Sequence, residues 1–149
     1  MKVEEGMSRV ALVVGPSHTV RSAAELMAQR GVGAAVVMIP DSSGPAIITE
    51  RDIVRALGGG EDPDTMRVGD HMSSEVVLAQ PDWSLEEAAV TMVRCGFRHL
   101  IVIDRGEIAG VLSMRDIVRC WTDDGAICEL PAGVTEQLRD GSRSLSSTG

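Results

Sequence analysis

Two short segments carry the side chains best suited to chemistry. Ile47-Ile48-Thr49-Glu50-Arg51-Asp52 and Val111-Leu112-Ser113-Met114-Arg115-Asp116 each place a hydroxyl residue three positions before an Asp, with an Arg between them. Each segment follows an apolar run and precedes a helical pattern, so each reads as a strand end turning into a helix start. There, a hydroxyl and the free N–H groups of the first turn can hold a phosphate oxygen, helped by the positive end of the helix dipole. The carboxylate can accept both hydrogen bonds of a ribose 2′,3′-diol. The same spacing is close to a capping box, in which the two side chains satisfy the helix's own first N–H groups. Recurrence beside a matching Arg favours a ligand, although a duplicated segment also duplicates its caps. Arg51 and Arg115 can reach a phosphate or pair with acids on a solvated helix face.

Other chemistries find no support. The chain has no Gly-x-x-x-x-Gly-Lys-Ser/Thr loop, no Gly-x-Ser-x-Gly and no His-Glu-x-x-His, so nothing in it marks an enzyme. His18, His71 and His99 have no metal-ligand spacing with one another or with a Cys, and Cys95, Cys120 and Cys128 form no Cys-x-x-Cys pair. Neither a metal site nor a disulfide framework is expected. A net charge of −8 opposes non-specific attachment to nucleic acid or to an anionic membrane. It leaves room for a small anion held by a few local Arg side chains and backbone N–H groups. No apolar run is long enough for a membrane span and the first residues lack a signal-peptide core, which points to a cytoplasmic protein with reduced thiols. One Phe, two Trp and no Tyr leave a core of aliphatic residues suited to packed α/β layers.

The two hydroxyl–Asp segments belong to a longer repeat. When the chain is slid against itself so that Val3 falls on Val68, Met7-Ser8 falls on Met72-Ser73 and Pro16 on Pro81. Ala23, Ala24 and Met27 then fall on Ala88, Ala89 and Met92, and Gly31 falls on Gly96. After a one-residue gap, Arg51-Asp52-Ile53-Val54-Arg55 falls on Arg115-Asp116-Ile117-Val118-Arg119.

Each copy predicts the order β-α-β-β-α. Short apolar runs at 10–14 and 76–79 read as first strands. Val20, Ala23, Ala24 and Met27, and likewise Leu85, Ala88, Ala89 and Met92, give each following helix one apolar stripe. Ser84-x-x-Glu87 is a capping box, and Gly31 and Gly96 stand where a left-handed residue would end the helix. Two more strands (34–39 and 46–48; 100–103 and 108–112) and a second helix (51–57; 115–121) complete the copies. One copy alone exposes too much apolar sheet, so two copies packed sheet against sheet about a pseudo-two-fold axis are expected, with two related clefts between them. The boundaries read as 1–60 for the first repeat, 61–67 for a linker that follows the glycines at 58–60, 68–121 for the second and 122–149 for a tail. A short helix over 134–139 and disorder over 141–149 are expected there.

The ordered set Val68-Gly69-Asp70-His71-Met72, Pro81, Gly96, Phe97-Arg98-His99-Leu100 and Gly110-Val111-Leu112-Ser113-x-x-Asp116-Ile117 resembles the cystathionine β-synthase (CBS) domain. The tandem pair over residues 3–121 resembles a Bateman module. The resemblance implies an α+β fold and a regulatory module sensing an adenosine-containing ligand such as AMP, ADP, ATP, S-adenosylmethionine or NAD, with no other cofactor. It also implies a disc-like homodimer and a regulated partner protein whose nature the sequence does not give. On that resemblance Thr49 and Asp52 would serve one site and Ser113 and Asp116 the other. Val13, Ile48, Val77 and Leu112 would hold adenine, and Arg98 and His99 would lie against phosphate. In the first copy Gly33-Ala34 replaces Arg98-His99, and Ala46 replaces Gly110. The second copy is therefore expected to be the better site for a phosphate-rich ligand. The alternative is an oligomerisation or interaction protein of the same fold that binds no nucleotide. Trp83 and Trp121 suit either a dimer contact or burial within the subunit.

Overall fold

The computed structural model describes residues 1–42 and 44–123, and the expectations for the tail beyond 123, Cys128 included, lie outside the described residues. Both sheets fall within one compact unit, Met1–Ile117. Each repeat begins with a short helix that the sequence reading did not foresee, α1 (Val3–Gly6) and α4 (Val68–His71). The first repeat continues with β1 (Val13–Val14), α2 (Val20–Arg30), β2 (Ala34–Val37), β3 (Ala46–Thr49) and α3 (Glu50–Gly58). The second continues with β4 (Leu78–Ala79), α5 (Leu85–Cys95), β5 (His99–Asp104), β6 (Glu107–Ser113) and α6 (Met114–Asp123).

The local signals act as their chemistry requires. Thr19 caps α2 by accepting from the Ser22 N–H. Ser84 and Glu87 form a full capping box on α5, with bonds of 2.9 and 3.0 Å. Gly31 (φ 62°) and Gly96 (φ 72°) end the two long helices in the left-handed region, where a Cβ would be strained.

Each repeat forms a three-stranded sheet in which the first strand runs parallel to the second and the second antiparallel to the third. The inner faces of the two sheets share a core. Ala34, Val36 and Ile47 of the first repeat pack with Ile101 of the second, and Val76, Ile103, Ile108 and Val111 join them. The opposite face of the first sheet is covered by α2, where Val14, Val37 and Ile48 meet Ala23 and Met27. With both faces covered, strands such as Ala34–Val37 are apolar throughout rather than alternating.

The leading arms are exchanged between the repeats. The Val3 N–H donates to the Trp83 carbonyl (2.8 Å) and the Glu4 N–H to that of Pro81 (3.0 Å). In the pseudo-symmetric positions, the Val68 N–H donates to the His18 carbonyl (2.8 Å) and the Gly69 N–H to that of Pro16 (2.9 Å). Further on, Ser8 and Val111 exchange two backbone hydrogen bonds (2.9 and 3.0 Å), and Ser73 and Ile47 exchange two more (2.8 and 3.0 Å). Each sheet thus gains a short antiparallel bridge from the arm of the other repeat. This is why the first strands are shorter than the sequence predicts. In the first copy the chain is still leaving its bridge at Val10, which is 74% exposed, and it joins its own sheet only near Leu12.

The exchange also explains Gly110. A Cβ there would fall inside the van der Waals envelope of the Ser8 carbonyl oxygen and lie 3.3 Å from Met7 Sδ. The crossing arm leaves no room for a side chain at this position. Gly110→Ala is expected to destabilise the protein by about 1–3 kcal/mol in urea unfolding, as overpacking against fixed backbone does. Gly44→Ala, which meets nothing within 4 Å, should change stability little in the same assay.

Candidate functional site

A cleft of about 260 Å³ opens between the two repeats and draws its walls from both. From the first repeat come Gly33, Ile47 and the first turn of α3 with Thr49, Glu50, Arg51, Asp52 and Arg55. From the second come Ser73, Glu75 and Val76 on the arm, and Phe97, Arg98, His99 and Ile101 at the entry to β5. Ile47, Val76 and Ile101 provide the apolar surface, and the polar groups gather around Asp52.

Thr49 and Asp52 form a reciprocal cap. Asp52 Oδ2 accepts from the Thr49 N–H (2.9 Å) and from the Thr49 hydroxyl (3.0 Å), and Thr49 Oγ1 accepts from the Asp52 N–H (3.3 Å). Asp52 Oδ1 accepts from the Ser73 hydroxyl (3.2 Å), which comes from the other repeat's arm. The carboxylate is 8% exposed and is held by both copies at once. Ser113 and Asp116 repeat the cap, with bonds of 2.8 and 3.1 Å. Capping is therefore a real role of both pairs. It does not exhaust Asp52, because Oδ1 accepts its bond from a hydroxyl on the cleft wall rather than from the helix.

Arg98 and His99 are placed differently from the sequence expectation. Along the backbone, His99 pairs with Ser113 across the β5–β6 ladder, and the Arg98 carbonyl accepts from the Met114 N–H (2.9 Å). Their side chains, however, line the cleft that holds Thr49 and Asp52. The basic pair of copy two thus joins the hydroxyl–Asp pair of copy one, so the pair does not mark the Ser113/Asp116 side as the phosphate-rich one. Gly33 is part of the same arrangement. A Cβ on it would stand 3.3 Å from His99 Nε2 and 3.3 Å from Glu50 Oε1. The small residue that looked like a loss in copy one is the space into which the imidazole of copy two fits.

Of the residues expected to hold adenine, none lines the cleft described above. Ile48 and Leu112 are fully buried and neither lines the described cleft. Ile48 packs under α2, while its neighbour Ile47 faces the cleft. The run Ala46–Ile48 is apolar on both faces, so sequence alone gives no parity. Val13 is half-exposed and pairs with Val36 at the sheet edge, and Val77 contributes its carbonyl to the Ile101 N–H. Arg51 lines the cleft and Arg115 is exposed on the corresponding turn of α6. The sequence reading missed Ser73, Glu75, Val76 and Ile101 as wall residues. Only the Met-Ser match at 7–8 and 72–73 hinted at Ser73, and nothing in it indicated the exchange that brings Ser73 to the cleft.

Three arginines (Arg51, Arg55, Arg98) face three carboxylates (Glu50, Asp52, Glu75) around this cleft, so it is locally balanced in a chain of net charge −8. Burial pushes the His99 imidazole below its ordinary value of 6.5, more strongly than Glu50 and Asp116 pull it up, and Arg98 adds to the lowering. Among the described residues no group of His, Cys, Asp or Glu could hold a metal ion, and no helix is long and apolar enough to cross a membrane.

A family model of the CBS domain matches residues 3–59 and again residues 68–123. The chain belongs to the CBS-domain family. Among its relatives, an uncharacterized protein of Methanocaldococcus jannaschii is 28% identical over 136 residues, covering 91% of this chain and 48% of that one. The chain thus spans about half the length of that relative. A solved protein with CBS domains from Burkholderia ambifaria superposes with a TM-score of 0.78 at 28% identity, over 87% of this chain and 100% of that one. A CBS domain protein from Pyrobaculum aerophilum, solved in complex with AMP, is 31% identical with a TM-score of 0.70, over 78% and 89% of the two chains. The tandem α+β repeats of the present chain are those of a CBS pair.

The CBS pair's own histidine carries a prediction about stability. Because folding lowers the His99 pKa, the unfolded chain binds more protons than the native one once the pH drops below the ordinary histidine value. The contribution is fully present above about pH 6.5 and is lost as pH falls from there towards the lowered native value. Urea unfolding followed between about pH 7.5 and 5.5 should therefore show a smaller loss of stability for His99→Gln than for the wild type.

Proposed function

We propose that this CBS pair is a regulatory module that binds an adenosine-containing nucleotide in the cleft between its repeats. The observation that carries the proposal is the convergence, in one cleft, of Asp52 with Thr49 from one repeat and Arg98 with His99 from the other. In this reading the diol of the ribose displaces the Ser73 hydroxyl or joins it at Asp52 Oδ1. The phosphate lies at the first turn of α3, within reach of Arg98, where the N-terminal dipole and a guanidinium both favour an anion. Ile47, Val76 and Ile101 cover the base. A volume of 260 Å³ is at the small end for ligand sites, which suits a mononucleotide better than a dinucleotide. The AMP held by the Pyrobaculum aerophilum relative supports the same class. The Ser113/Asp116 pair is a second candidate, with Gly33-Ala34 where the first cleft has Arg98-His99.

A regulatory rather than catalytic role fits the groups present. The cleft offers hydrogen bonds, charge and apolar cover, and a ligand held this way changes a partner's affinity only by binding two states of the module unequally. The homodimer stays within the proposal, supported by exposed apolar side chains on two helices, Val54 (67%) and Leu57 (49%) on α3 and Val90 (47%) and Val93 (74%) on α5. The non-binding interaction protein of the same fold is favoured by one observation: both hydroxyl–Asp pairs cap their helices without a ligand.

Titration calorimetry with AMP, ADP, ATP, S-adenosylmethionine and NAD separates the two. The nucleotide reading predicts binding of AMP, weakened roughly 10–100-fold by Arg98→Ala, the cost of one lost charge-assisted hydrogen bond. Adenosine should bind wild type and variant alike. No heat with any of the five ligands would leave the interaction protein as the better account.

A further inference from the structure

His99 brings an imidazole to the wall of the nucleotide cleft. It begins β5 beside Ser113, yet its Nε2 reaches the space left open by Gly33 in the opposite repeat. Three charged groups act on it, each from a different segment. Glu50 lies at the start of α3, Asp116 in the first turn of α6, and Arg98 next to it in the chain. Burial disfavours a charge on this imidazole while the cleft is unliganded, outweighing the pull of Glu50 and Asp116, and Arg98 adds to the lowering. A phosphate at the first turn of α3 changes that balance, because it adds negative charge beside the imidazole.

We infer that His99 makes this cleft selective for phosphate-bearing over uncharged adenosine ligands by taking up one proton as the anion enters, so that binding tightens as the pH falls. The inference rests on the nucleotide reading of the cleft and adds its regulation. The proton comes from solvent and is held on the imidazole, which then carries one positive charge opposite the phosphate. No covalent bond forms or breaks. Affinity and protonation are linked, so each strengthens the other by the same factor. Gly33 gives the imidazole its room, since a Cβ there would stand 3.3 Å from both His99 Nε2 and Glu50 Oε1.

The test is calorimetry of AMP binding to the full chain at about pH 6.5 in two buffers of different ionisation enthalpy, with a series between about pH 7.5 and 5.5. The wild type should take up a larger fraction of a proton than His99→Gln, and its affinity should gain up to about tenfold per pH unit relative to the variant. The comparison removes the second ionisation of AMP itself, near pH 6, which both proteins see equally. Adenosine should show neither effect. Should the variant not fold, an NMR titration of the His99 imidazole in the wild type reads the same quantity, and its midpoint should rise when AMP is bound. AMP binding with the same proton uptake and pH dependence in both proteins, or an unmoved His99 midpoint, would overturn the inference and leave the nucleotide reading standing. Failure of the wild type to bind AMP at any of these pH values would overturn both.

Discussion

The structure depends on the exchange of leading arms between the two repeats. The paired backbone hydrogen bonds of Ser8 with Val111 and of Ser73 with Ile47 tie each arm to the other copy's sheet. Neither sheet is complete without its neighbour. The sheets bury their inner faces against each other around Ile47, Val36 and Ile101, and the arms fix that packing with directional bonds that apolar contact alone would not supply. Buried backbone groups must be paired somewhere, and here the pairing is what makes two small units into one.

The cleft is a consequence of the same exchange. Ser73, Glu75 and Val76 reach it because the second arm crosses to the first repeat, and Asp52 is bonded by a hydroxyl from that arm. The pseudo-symmetry is close in the backbone and broken in the side chains. Gly33 faces His99 across the junction of the repeats, and only this unequal choice lets one imidazole fill the space between them. A duplicated fold has thereby acquired a cleft in which one carboxylate, Asp52, is bonded from both repeats.

Much of this was legible in the sequence, and the illegible part has identifiable causes. Gly31 and Gly96, the Ser84–Glu87 box and the stripes of α2 and α5 are short-range signals, each readable within a few residues. The hydroxyl–Asp pairs were equally readable, and both are caps, as their spacing allowed. The arms were not, because exchange is carried by backbone hydrogen bonds, and no side-chain pattern distinguishes a Val3 that docks at Trp83 from one that docks at His18. Gly110 shows the cost of that blindness: its closeness to the Ser8 carbonyl could not be read from the sequence. Which of Ile47 and Ile48 lines the cleft was illegible for a different reason, since a strand covered on both faces has no polar–apolar alternation to read. The partnership of Arg98–His99 with Thr49–Asp52 is a long-range fact set by the pseudo-two-fold relation, and residues adjacent in the repeat were the wrong guide to residues adjacent in the cleft.

The central claim is that one ligand site is built jointly from the two repeats. A crystal structure of the chain with AMP tests it most directly. The account predicts the ribose at Asp52 of the first repeat and the phosphate at the start of α3, within hydrogen-bonding reach of Arg98 from the second. A nucleotide bound with all its contacts from one repeat, or lying away from both Asp52 and Arg98, would contradict it.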